Sequence, residues 1–90
     1  MLMSFIMAFQ LSFAQKTVSG TVSDNNSVPL PGATIIVEGT SNGVTSDFDG
    51  NYSISASEGD VLVVSFVGYS SVSATVGAST TLNFSLSPSS

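Results

Sequence analysis

The chain is 90 residues long with a net charge of −5, Lys16 as its single basic residue against six acids, and neither cysteine nor histidine. That length holds one small domain. The charge leaves nothing to neutralise phosphates, so nucleic acid and anionic membrane surfaces are excluded as partners, while the lack of cysteine removes disulfide staples and a lipid-modified N-terminal cysteine.

Residues 1–14, MLMSFIMAFQLSFA, are almost wholly apolar. They are too few to span a bilayer as a helix, which takes about 20 residues. Small residues at Ser12 and Ala14 precede Gln15 in the pattern of a secretory cleavage site, so residues 1–14 are expected to be a signal peptide. The basic n-region is missing, which means an atypical signal or a start lying upstream. A buried N-terminal helix is the competing reading, and the stretch has neither cap nor polar face to favour it.

From there the chain reads as short strands separated by turn signals. Residues 17–23 alternate, with Val18, Gly20 and Val22 on one face. Asp24-Asn25-Asn26-Ser27 is a turn by composition. Val28-Pro29-Leu30-Pro31-Gly32 is an extended crossing segment, because two prolines cannot sit in a central strand, and Leu30 is free to plug a core edge. Residues 33–38 place Ala33, Ile35 and Val37 together. A loop at 39–43 leads to a short strand at 44–47. Residues 51–56 set Tyr52, Ile54 and Ala56 on one face. Residues 61–67, VLVVSFV, are the most apolar run after the signal and are expected to be central and buried on both sides. Gly68-Tyr69 marks a bend, residues 70–76 align Val72, Ala74 and Val76, and residues 81–86 close with Leu82, Phe84 and Leu86 inward. The expected fold is an all-β, seven-stranded sandwich over residues 15–86, with about seven strands at roughly 8–12-residue spacing and no helical period. Ser87-Pro88-Ser89-Ser90 has the composition of the start of a linker.

One stretch raises chemistry. In DFDGNYSISASE, residues 47–58, the side chains Asp47, Asp49, Asn51, Ser53, Ser55 and Glu58 occupy the ligand positions of an EF-hand loop. The loop needs glycine at its sixth position, and Tyr52 stands there. The glycine falls at the fourth, Gly50, where an Asp-Gly hairpin turn wants it. The strand reading also turns Asn51, Ser53 and Ser55 to solvent together. No metal site is expected. Catalysis has no better footing: histidine and cysteine are absent, no serine sits in a G-x-S-x-G elbow, and the Asp47/Asp49 pair reads as solvated turn formers. No catalytic or cofactor-binding residue is expected, and no enzyme.

VSGTVSD at 18–24, PLPGATIIVEGT at 29–40, TSDFDGNYSI at 45–54 and VVSFVGYSS at 63–71 resemble the carboxypeptidase D regulatory-like domain. The spacing is most similar to the N-terminal extension of SusC/RagA-family TonB-linked outer-membrane proteins. The resemblance covers residues 16–86 and implies a transthyretin-like seven-stranded sandwich with no enzymatic activity. It further implies export to the periplasmic face of the outer membrane, ahead of a TonB box, plug and barrel that import glycans or peptides. The implied partners are that plug and barrel, TonB, and a SusD-like lipoprotein. The alternative is a free-standing secreted β-sandwich that binds a glycan or protein. A glycan binder needs an exposed aromatic platform, and alternation buries Tyr52, Phe66 and Phe84, leaving Phe48 and Tyr69.

Overall fold

A computed structural model describes residues 15–89; residues 1–14, expected from sequence to be a signal peptide, and Ser90 lie outside the described residues. The strands are β1 (Lys16–Asp24), β2 (Thr34–Val37), β3 (Gly43–Thr45), β4 (Asn51–Ala56), β5 (Val61–Ser65), β6 (Val72–Thr75) and β7 (Phe84–Leu86). They form two sheets, one ordered β4-β1-β7 and the other β3-β2-β5-β6. The β1–β7 pair is parallel and every other pair is antiparallel. The chain is therefore an all-β, seven-stranded sandwich.

The core follows from period-two alternation on each strand. Val18 and Val22 of β1, Ile35 and Val37 of β2, Ile54 and Ala56 of β4, Leu62 and Val64 of β5, and Phe84 and Leu86 of β7 all face the space between the sheets. Each fully buried aliphatic side chain contributes about 1.5–3 kcal/mol. Leu30 is buried as the crossing segment passes from one sheet to the other, so it does plug the core edge. Where β4 leaves the edge of β1, that segment takes over: Leu30 N–H donates to Val22 O at 3.0 Å and Asp24 N–H to Val28 O at 2.9 Å. Pro29 lies between them, opposite Ser23, at the one position of this short ladder that needs no donor.

Four expectations are corrected. The run at 61–67 is central, with β2 and β6 as its neighbours, but it is not buried on both faces. Val61 and Val63 are half-buried, Phe66 is half-buried rather than core, and Val67 is 92% exposed. The cause is a turn: Tyr69 N–H donates to Phe66 O at 3.0 Å with Gly68 at φ 89°, which puts Val67 at the tip. The strand expected at 44–47 is β3, shifted to Gly43–Thr45, because Ser46 leaves the ladder for the crossing segment. The Asp-Gly turn at 47–50 forms, yet its flanking strands β3 and β4 lie in different sheets, so it carries the chain across the sandwich instead of closing a hairpin. Finally, the expected strand at 81–86 is regular only over Phe84–Leu86. Residues 87–89 run antiparallel to 68–70, with Ser70 N–H to Ser87 O at 2.9 Å and Ser89 N–H to Gly68 O at 3.0 Å.

Candidate functional site

The EF-like set is not brought together. The Asp47 carboxylate turns inward on its own loop, where Oδ1 accepts from the N–H groups of Asp49 and Asn51, both at 2.9 Å. Gly50 N–H closes the turn on Asp47 O at 2.9 Å, with Gly50 at φ 78°. No other residue fits there, since a Cβ on Gly50 would lie 2.5 Å from Val22 O. Beyond the turn β4 is extended, so its ends stand about 17 Å apart at the strand rise, whereas calcium ligands all lie within about 2.6 Å of one ion. Ser53 and Ser55 face solvent, and Glu58 sits at the opposite end of the sandwich, 3.9 Å from Lys16 Nζ. Asp47 and Asp49 belong to a turn.

The same device occurs a second time, which composition does not reveal. Asp24 Oδ1 accepts from Asn26 N–H at 2.8 Å and Val28 N–H at 2.9 Å. Ser27 N–H donates to Asp24 O at 3.0 Å, and Ser27 carries a φ of 66°, the position Gly50 holds in the other loop. The signal available in the sequence was an aspartate followed three residues later by the residue that must turn left-handed. In the second loop that residue is Ser27, which does not advertise it.

Ser46 is the most enclosed hydroxyl in the crossing region. It donates to Leu30 O at 2.6 Å and accepts from Ala33 N–H at 2.9 Å, tying the crossing segment to the end of β3. Both functions of the hydroxyl are thus engaged with backbone. It acts as a structural clamp.

A third feature surrounds Gly20. The backbone of Leu82 passes so close that a Cβ on Gly20 would stand 1.9 Å from Leu82 O. Tyr52, paired with Gly20 across the β1–β4 ladder, reaches over it to donate its hydroxyl to Leu82 O at 2.5 Å. Burial of that hydroxyl pushes the Tyr52 pKa up to about 12. Asn83 Oδ1 accepts from Thr21 N–H at 2.9 Å, replacing the carbonyl that the distorted strand withdraws. Gly20 reads in the sequence as an inward position of an ordinary strand; its closeness to Leu82, 62 residues away, is not local information.

Of the aromatic residues left over for a sugar platform, Phe48 is 87% exposed. Tyr69 is half-buried and packs on Phe66 with ring centroids 5.6 Å apart. A shallow groove of about 330 Å³ is lined by Gly32, Thr34, Ser65, Phe66 and Val67, none of them charged.

Comparison with known proteins gives three findings. The family described as CarboxypepD_reg-like domain matches residues 18–90. The chain is 51% identical over 59 residues to the TonB-dependent receptor SusC of Bacteroides thetaiotaomicron, covering 64% of this chain and 6% of that protein. It is 45% identical over 75 residues to the TonB-dependent receptor P26 of Formosa agariphila, covering 83% of this chain and 8% of the relative. The chain thus spans less than a tenth of the length of these relatives. Among solved structures, a type II cohesin–X-dockerin complex from Acetivibrio cellulolyticus superposes with a TM-score of 0.59 at 20% identity, covering 77% of this chain and 51% of that one, a likeness of fold alone.

Proposed function

The chain belongs to the CarboxypepD_reg-like domain family, and from that premise we propose that it serves as a non-enzymatic accessory domain at the N-terminus of a SusC/RagA-like TonB-dependent receptor. The observation that carries this reading is its similarity, at 45% identity across 83% of its own length, to a TonB-dependent receptor many times longer. In this reading residues 1–14 direct export, residues 15–86 form the sandwich, and residues 87–90 lead toward a plug and barrel. The domain lies on the periplasmic face of the outer membrane. Its partners are the remainder of the receptor, TonB and a SusD-like lipoprotein, and the imported substrate is a glycan or peptide. The site chemistry supports the non-enzymatic part: Asp47 and Ser46 are both engaged by backbone groups. A free-standing glycan binder has less behind it, because Tyr69 is taken up by Phe66 and, among the described residues, Phe48 stands without a second exposed ring.

The test is deletion of residues 15–86 from the receptor gene in its host. The receptor should still assemble in the outer membrane, while energised substrate uptake falls. Unchanged uptake by correctly assembled receptor would overturn the accessory role.

A further inference from the structure

Three of the four large apolar side chains that the described residues expose lie at one end of the sandwich. Phe48 is 87% exposed in the turn that Asp47 closes, Val67 is 92% exposed at the tip of the 66–69 turn, and Val28 is 52% exposed just after the turn that Asp24 closes. The crossing segment 28–32 joins them. Pro29 lies against the Gly50 turn, where its Cβ is 3.2 Å from a Cβ built on Gly50. Farther along the segment, Gly32 N–H donates to Ser46 O at 3.0 Å, and a Cβ there would stand 4.0 Å from Phe66 Cε1.

Nothing in folding asks for apolar residues at these tips. Side chains this exposed add almost nothing to the core, and scattered single apolar residues would need no explanation, whereas a cluster at one end does. The charge at this end has one sign. Asp24, Asp47 and Asp49 sit on the same turns, and Asp49 caps nothing. The single cation, Lys16, is at the far end, donating to Gly77 O at 2.6 Å beside Glu58.

We propose that this end, with Val28, Phe48 and Val67 as anchors and Asp24, Asp47 and Asp49 as its rim, docks a protein surface that presents an apolar socket flanked by lysine or arginine. An aromatic anchor with an apolar companion supplies the affinity, and the carboxylates set orientation and reject acidic partners. The proposal stands independently of the receptor reading.

The test is NMR titration of the chain with a short extended peptide that alternates leucine and lysine, and with its leucine–glutamate counterpart. The lysine peptide should shift the amides of residues 28, 48 and 67 saturably and less strongly as salt is raised; the glutamate peptide should not. The double variant Phe48→Ser/Val67→Ser should melt as the parent does and lose at least about tenfold in affinity, as expected for anchor residues. Asp49→Asn should weaken binding at unchanged stability. Equal responses to the two peptides, shifts confined to the Lys16 end, an absence of saturable shifts, or concentration-dependent shifts without peptide would each overturn the proposal. So would equal binding to neutral lipid vesicles.

Discussion

Gly20→Ala is a one-carbon change whose effect follows from a single close approach. The added Cβ would stand 1.9 Å from Leu82 O, where ordinary contact begins at 3.4 Å. The Leu82 backbone must therefore retreat by about 1.5 Å, beyond what its hydrogen bonds tolerate. Two are lost first: Tyr52 hydroxyl to Leu82 O, and Leu82 N–H to Ser19 O at 2.9 Å. Each contributes about 1 kcal/mol, and forced overpacking costs about 1–3 kcal/mol more. The smaller entropy of an unfolded chain with alanine offsets about 0.4–1 kcal/mol. The net loss is about 3 kcal/mol, a large share of the roughly 4–11 kcal/mol expected of a domain this size. Urea unfolding followed by circular dichroism should show a midpoint lowered by about 2–3 M at an unchanged slope. Combining Gly20→Ala with Tyr52→Phe should cost less than the two added separately, because both remove the same bond. Stability equal to or above the parent would refute the close approach and the strand placement it rests on.

Ile54→Asp should unfold the domain, since Ile54 is 3% exposed, at a cost of several kcal/mol; Ser53→Asp on the opposite face should change stability by about 0.5 kcal/mol or less in thermal melts. Equal effects would mean the β4 register is wrong. Ser27→Gly should raise stability by about 0.5 kcal/mol, a melting shift of about 2–4 °C, because it relieves a left-handed serine at φ 66°; a lower melting temperature would contradict the turn geometry. Tyr52 is neutral when protonated, and its folded pKa of about 12 lies above tyrosine's ordinary value of 10.0. Its contribution to stability is therefore fully present below pH 10 and is lost as pH rises toward about 12. In a Tyr69→Phe background, the absorbance rise of tyrosinate should centre near pH 12, and a midpoint at 10.0 would show the hydroxyl to be solvated.

The strands were legible where one face alone is buried. Val18 and Val22, Ile35 and Val37, and Tyr52, Ile54 and Ala56 alternate with polar neighbours, and alternation carries the register. The prolines marked the crossing segment for the same local reason. In residues 61–67 the pattern failed, because four apolar residues in a row, Val61–Val64, fit a strand buried on either face or both; the turn that exposes Val67 is set by Gly68, outside that run. Gly20 and Leu82 were illegible because their meeting depends on a parallel pairing between distant segments. Against the metal-like loop the sequence offered one residue, Tyr52, at the position where an EF-hand requires a left-handed backbone. The turn at 24–27 was legible from its Asp and Asn side chains, which bond their own backbone; that Asp47 caps its turn in the same way was not. The docking end was missed too: Phe48, Val28 and Val67 are spread over 40 positions, and the fold alone brings their turns to one end.

The most direct test of the receptor reading is the nucleotide sequence downstream of the Ser90 codon in an intact gene. The frame should continue into an acidic-apolar TonB box within about 10–20 residues, the reach of a short flexible tether. A plug should follow, and then many strands of about ten residues with outward apolar alternation, as a transmembrane barrel requires. A stop codon directly after Ser90 would contradict the account and leave a free-standing β-sandwich in its place.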